Sequence, residues 1–136
     1  MSGLAELLVR TGHEVSGSDV RATMVTNRLA RLGVHVHEGH RATHVGQVDR
    51  LVFSSAIRDD NPELAEARRR GIPVVARGEL LAELMRGHYA IAVAGAHGKT
   101  TTTSMTAWVL DRAGWDPTAV IGGRLRAFDS SIRVGS

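Results

Sequence analysis

The sequence predicts an α/β fold in which a parallel sheet is wound with helices. Short strand-like runs alternate with amphipathic helical patterns along most of the chain. Several helical patterns close on a glycine, at Gly12, Gly33, Gly71 and Gly114. A glycine-rich turn carrying a lysine and a threonine joins an apolar run to a helix.

The elements follow in order. Residues 2–11 form a helix, with Leu4, Leu7 and Leu8 on one face. Residues 13–17 form a short strand that runs into Ser18 and Asp19. Residues 21–32 are helical, with Met24, Leu29 and Leu32 apolar, and residues 34–37 alternate like a strand. Residues 50–54 read as a buried strand. Pro62 at a first helical position starts a helix that ends at Gly71. Residues 72–76 are a strand and residues 79–86 a helix bearing Leu80, Leu81, Leu84 and Met85. Residues 89–94 are apolar and strand-like, a helix runs from the glycine-rich turn to Ala113, and residues 118–121 are a further strand before Gly122 and Gly123. The pattern divides into residues 1–87 and residues 88–136.

Composition bounds the function. Of 136 residues, 43% are hydrophobic and 23% charged, which excludes wholesale disorder. No apolar run approaches ~18 residues, so no membrane span is expected. The first residues lack the pattern of a secretory leader. Cysteine is absent, which leaves no disulfide framework or thiolate chemistry, and the expected compartment is the cytoplasm. Aromatic residues are only 4%, too few for a base-stacking platform, so no nucleic-acid partner is expected. Of 17 basic residues only Lys99 is a lysine. The run Arg68-Arg69-Arg70 reads as the solvated end of a helix, where cations suit the dipole.

The strongest chemical signal is Gly95-Ala96-His97-Gly98-Lys99-Thr100, followed by Thr101. Glycines let backbone N–H groups curl around phosphate oxygens, and the helix N-terminus adds partial positive charge. Lys99 would meet the β- and γ-phosphates and the Thr100 hydroxyl would help hold Mg²⁺. Val93 stands where the longer phosphate-loop pattern has its first glycine, so the motif is the shorter G-x-x-G-K-T.

Other constellations carry less. His35, His37, His40 and His44 lie close in sequence, but without further ligands at metal spacing they read as a strand edge and polar loop. Ser54-Ser55-Ala56 follows a strand at the edge where parallel sheets collect ligands, and a helix-capping loop fits the same position. Glu79 and Glu83 are one helical turn apart and read as a solvated face, not a carboxylate pair.

In order and spacing, MSGLAELL, GHEVSGSD, SSAIRDDNPE, GIPVVARGELLAELMR and AVAGAHGKTTTTSM, with Gly122-Gly123, resemble the Mur ligases, and among them the alanine-adding branch. The resemblance implies a Rossmann-like domain over 1–87 that binds a UDP-sugar. It also implies the opening of a P-loop ATP-binding domain over 88–136. The family's first strand and Gly-rich loop precede a Met-Ser-Gly, which matches Met1-Ser2-Gly3, so the chain reads as a fragment. By the same match, Ser18, Asp19, His40, Ser54, Ser55 and Ala56 line the UDP-sugar site. The resemblance likewise implies that Gly95, Ala96, His97, Gly98, Lys99, Thr100 and Thr101 bind ATP, that Lys99 and Thr100 are catalytic, and that Thr100 is a Mg²⁺ ligand. The implied substrates are UDP-N-acetylmuramate, L-alanine and ATP, joined through an acyl phosphate in peptidoglycan precursor synthesis; this fragment alone is expected to be inactive. Two alternatives stay open: the related murein-peptide recycling ligase, and a nucleotide-binding remnant without activity. Ala96 stands where the family commonly has Thr, which removes a hydroxyl but no backbone donor. Asp129 stands where the family often has Gly.

Overall fold

The computed structural model describes residues 1–125 and 130–135. Its helices are α1 (Ser2–Arg10), α2 (Met24–Arg31), α3 (Pro62–Arg69), α4 (Arg77–Met85) and α5 (Lys99–Arg112). Its strands are β1 (Ser16–Asp19), β2 (His35–Glu38), β3 (Leu51–Phe53), β4 (Val74–Ala76), β5 (Ala119–Leu125) and β6 (Ser130–Arg133). The fold is mixed α/β with parallel strand pairs, as expected. None of the helices described is long and apolar enough to cross a membrane. The chain forms two compact units. One comprises Met1 and Val15–Ala90; the other comprises Ser2–Glu14 and Ile91–Ser136.

In the first unit, β1 and β2 pair in parallel, from Ser16 opposite His35 to Asp19 opposite Glu38. β3 and β4 form a second parallel pair, from Leu51 opposite Val74 to Phe53 opposite Ala76. Each pair is bridged by one helix, α2 or α3, the arrangement that parallel strands require. The strand expected to be buried at 50–54 is only half-buried. Among the described residues β3 has a ladder partner on one edge only, β4, so less of it is covered. The unit's core comprises Leu29, Val34, Val45, Leu64, Ala67 and Leu80.

Local chemistry sets the helix ends. Helix α2 starts later than the pattern suggests because Thr23 caps it. The Thr26 N–H donates to Thr23 Oγ1 at 3.2 Å, and the Thr23 N–H donates to Thr26 Oγ1 at 2.7 Å. At its far end Gly33 turns left-handed (φ +96°), and the N–H of Val34 reaches back to the carbonyl of Leu29 at 3.0 Å. Val34 and Leu29 are both buried, which completes a Schellman stop. The same backbone bonds close α1, α3 and α5 at Gly12, Gly71 and Gly114. The arginine run sits at the end of α3. There Arg68 meets Asp59, Arg69 meets Glu66, and Arg70 donates to the Val45 carbonyl. Glu79 accepts from the Ala76 N–H and Glu83 pairs with Arg50, so those two carboxylates serve separate partners.

The chain from residue 89 onward departs from expectation twice. Residues 89–94 form no strand: Tyr89 is 93% exposed and Ile91 53%. An apolar run becomes a strand only where a neighbour takes its backbone hydrogen bonds, and no described residue does so. The unexpected element is β6, which pairs antiparallel with β5, Val120 facing Ile132. Ala107 of α5 packs with Ala119 and Ile121 of β5. Helix α1 lies against β5 and β6. The approach is close, because a Cβ on Gly3 would fall 2.9 Å from Ile132 Cγ2. Arg133 ties the hairpin to the end of α5 by donating to Asp111, to Asp116 and to the Pro117 carbonyl. Asp129 lies outside the described residues.

Helix α3 begins at Asn61, whose Oδ1 accepts from the N–H groups of Glu63 (2.8 Å) and Leu64 (3.4 Å). Replacing Asn61 by Ala is expected to lower stability by about 1 kcal/mol, while Asn61→Asp stays near wild type. Urea midpoints of the two variants check this.

Candidate functional site

Two sites are built at the ends of regular elements, one in each unit. In the first, parallel pairing brings the C-terminal ends of β1 and β2 to one edge. Ser18 stands opposite His37 and Asp19 opposite Glu38. The Gly39 N–H donates to the Asp19 carbonyl at 2.8 Å, and Gly39, at φ +76°, turns the chain so that His40 follows at the edge.

A carboxylate gathers the side chains there. Glu63, in the first turn of α3, is 15% exposed at its side chain. Its Oε2 accepts the Ser18 hydroxyl at 2.7 Å and lies 3.6 Å from His40 Nδ1. Its Oε1 lies 3.3 Å from both His44 Nδ1 and the Arg41 backbone N–H. The Ser18 Oγ is 2.9 Å from His40 Nδ1. His44 belongs to a single 3-10 turn, Ala42–His44. Its ring stacks on His37 at 4.4 Å, and the His35 ring meets His37 edge-on at 4.6 Å. Burial, then the neighbouring His44 and His35, hold the His37 imidazole below its usual range against the opposing pull of Glu63. Beside this cluster a 140 Å³ hollow is lined by Arg21, Thr26, Asn27, Val36, His37 and Glu38.

The structure thus joins Ser18 and His40, residues 22 apart in the chain. Asp19 sits at the same strand edge with its side chain exposed. Ser54, Ser55 and Ala56 lie at the end of β3, in the other strand pair. Ser54 Oγ accepts from the Ala56 N–H at 3.3 Å, and the Ile57 N–H closes on the Ser54 carbonyl. Among the described residues no hydrogen bond links that turn to Ser18 or His40. Glu63 is the residue that sequence reasoning missed. Its place just inside a helix start signals only a favourable dipole partner. Across the described residues, no group of three or more His, Asp or Glu is placed to hold a metal ion.

In the second unit, Gly95-Ala96-His97-Gly98 curls into the start of α5, and every residue from Gly95 to Thr101 is exposed. Gly98 is the N-cap in the left-handed region (φ +76°), and Gly95 has φ +148°. The first backbone bond of the helix runs from the Thr102 N–H to the Gly98 carbonyl, 2.9 Å. Before it, the N–H groups of Lys99, Thr100 and Thr101 have no acceptor among the described residues. The Lys99 ammonium folds back onto the loop, donating to the carbonyls of Gly95 (2.5 Å) and Ala96 (3.2 Å). The loop therefore carries unspent backbone donors and one cation, the equipment of a phosphate cradle. The side chains of His97 and Thr100 stand at its exposed rim.

Residues 1–89 match the family model described as Mur ligase family, catalytic domain. A UDP-N-acetylmuramate–L-alanine ligase of Anaeromyxobacter sp. (strain Fw109-5) is 57% identical over 135 residues, covering 99% of this chain and 30% of the relative. The ligase of the same description from Myxococcus xanthus (strain DK1622) is 58% identical, covering 99% of this chain and 29% of its own. The chain thus spans under a third of the length of these relatives. Among solved structures, the UDP-N-acetylmuramate-alanine ligase of Thermotoga maritima superposes with a TM-score of 0.91 at 32% identity, covering 99% of this chain and 32% of that one. The UDP-N-acetylmuramate:L-alanyl-gamma-D-glutamyl-meso-diaminopimelate ligase of Neisseria meningitides gives 0.92 at 35% identity, covering 98% and 43%.

Gly98→Ala puts a side chain where none clashes, since nothing lies within 4 Å of its Cβ position. The expected cost is therefore backbone alone, about 1 kcal/mol, read as a lowered melting temperature.

Proposed function

The chain belongs to the Mur ligase family, and from that premise we propose that it supplies the nucleotide-sugar and ATP-phosphate sites of a ligase that joins L-alanine to UDP-N-acetylmuramate. The observation that carries this reading is the identity of 57–58%, over 99% of the chain, to ligases described by that reaction. The proposed organisation is a UDP-sugar-binding domain over 1–87 and the opening of an ATP-binding domain over 88–136. Helix α1 falls within 1–87 in sequence and groups with the compact unit that carries the glycine-rich turn.

The chemistry follows from the two sites. In the first half-reaction an oxygen of the muramoyl carboxylate attacks the γ-phosphorus of ATP. The bond to ADP breaks, and an acyl phosphate forms. In the second, the amine of L-alanine attacks the acyl carbon, phosphate leaves and an amide remains. A phosphoryl transfer of this kind needs charge stabilisation and alignment more than covalent help. The N–H groups of Lys99, Thr100 and Thr101 and the Lys99 ammonium supply that field. To do so, Lys99 exchanges the Gly95 and Ala96 carbonyls for phosphate oxygens. The Thr100 hydroxyl offers a hard oxygen ligand suited to Mg²⁺, which when bound would neutralise phosphate charge. Ser18, Asp19 and His40, with Ser54, Ser55 and Ala56, line the UDP-sugar site, and the work is placed in the cytoplasm, where ATP is available.

The similarity to the Neisseria meningitides ligase favours a second reading, addition of a preformed peptide in place of alanine. One assay separates the two. The intact gene product carrying this chain is incubated with ATP and UDP-N-acetylmuramate, plus either L-alanine or the tripeptide L-alanyl-γ-D-glutamyl-meso-diaminopimelate. Alanine-dependent release of ADP and a product heavier by one alanyl residue are expected. A preference for the tripeptide would move the protein to the recycling reaction, and no turnover with either would leave a nucleotide-binding remnant. In the active protein, Lys99→Ala is expected to lower kcat by at least about 100-fold, from the loss of a preorganised cation at the transferring phosphoryl group. Equilibrium binding of the UDP-sugar should stay unchanged in the same variant, measurable by calorimetry.

A further inference from the structure

We propose that Glu63 is the positioning residue of the nucleotide-sugar site, fixing through Ser18 which nitrogen of His40 faces the ligand as an acceptor. The inference rests on the reading that Ser18 and His40 line the site for the uridine nucleotide.

The argument is one of proton counting. A serine hydroxyl has one proton to give and lone pairs to receive. The Ser18 hydroxyl points that proton at Glu63 Oε2, at 2.7 Å. A carboxylate is acceptor-only, so the direction of this bond is not in doubt. Ser18 Oγ also lies 2.9 Å from His40 Nδ1. With its proton committed to Glu63, Ser18 can only accept from His40, so Nδ1 carries a hydrogen. The 3.6 Å approach of Glu63 Oε2 to the same nitrogen favours that hydrogen as well. A neutral imidazole with Nδ1 protonated has a lone pair on Nε2. Among the described residues nothing bonds Nε2. It is therefore an acceptor held ready for a donor on the ligand, such as an imide N–H of a pyrimidine or a ribose hydroxyl.

The remaining contacts make Glu63 a rigid support. Its second oxygen is engaged by His44 and by the Arg41 N–H, next to His40 in the chain. Helix α3 is capped by Asn61 independently of the Glu63 side chain. A residue present only to complement the helix dipole would not need to touch groups 19, 22 and 45 positions away.

The test uses the intact ligase carrying this chain, labelled with ¹⁵N-histidine. Long-range ¹H–¹⁵N correlation spectra report the tautomer of each imidazole, with His40 assigned by its loss in His40→Gln. Steady-state kinetics report each KM. Wild type should show His40 with its proton on Nδ1. Glu63→Gln can turn its amide N–H₂ toward Ser18, releasing the hydroxyl to donate to His40 and moving the ring proton to Nε2. The KM for UDP-N-acetylmuramate should then rise about tenfold, the effect of one misdirected hydrogen bond, with kcat and the KM for ATP within about twofold. Ser18→Ala should release the His40 tautomer with the carboxylate still in place. A merely structural role would lower the melting temperature and disturb every kinetic constant together. An Nε2–H tautomer in wild type, or a Glu63→Gln protein with unchanged tautomer and KM, would overturn the proposal. If wild type neither binds nor uses the UDP-sugar, the reading of the site falls and takes the ligand half of this proposal with it. The spectra then still decide whether Glu63 sets the His40 tautomer.

Discussion

The parallel pairing of β1 with β2 is the constraint on which the first site depends. Parallel strands end at the same edge, so Ser18 and the turn after Glu38 arrive side by side. Such a pair requires a crossover connection, and α2 provides it. The next connection passes through Ala42–His44 and β3 before α3 presents Glu63 to the same edge. A one-residue slip in the ladder would turn Ser18 to the opposite face and leave Glu63 without its nearest donor.

The second site depends on a different device, the orphan donors of a helix start. Three N–H groups at the head of α5 find no acceptor among the described residues. Gly98 makes this possible, because a left-handed N-cap carries the chain into the helix without a side chain over the donors. The two sites thus differ in how they hold charge. The strand-edge cluster gathers its donors around a partly buried carboxylate and leaves the outer nitrogen of His40 over. The loop is exposed, and its lysine rests on its own carbonyls.

Much of this was legible in the residues. The helix stops at Gly12, Gly33, Gly71 and Gly114 were readable because a left-handed turn after a helix is a local requirement with few solutions. The glycine-rich turn at the head of α5 was readable because its residues are contiguous. What escaped was whatever depends on a partner. The apolar residues 89–94 read as a strand, yet pairing is not a property of a single segment, and they remain open. Strand β6 was hidden because it exists through its ladder with β5. The spacing of β3 was right and its burial was not, since burial depends on both neighbours. Glu63 carried a correct local signal, the helix start, that concealed its long-range role 45 residues from Ser18.

Basic charge in these 136 residues is carried almost wholly by guanidinium groups, with Lys99 the one side-chain amine. Guanidinium groups hold their proton throughout the accessible range, whereas an ammonium can release one and become a nucleophile. An amine-selective acylating reagent that meets this stretch of chain finds its one side-chain amine in the glycine-rich turn. That amine sits in the one loop whose backbone donors stand open, so its reactivity reports directly on what covers the head of α5.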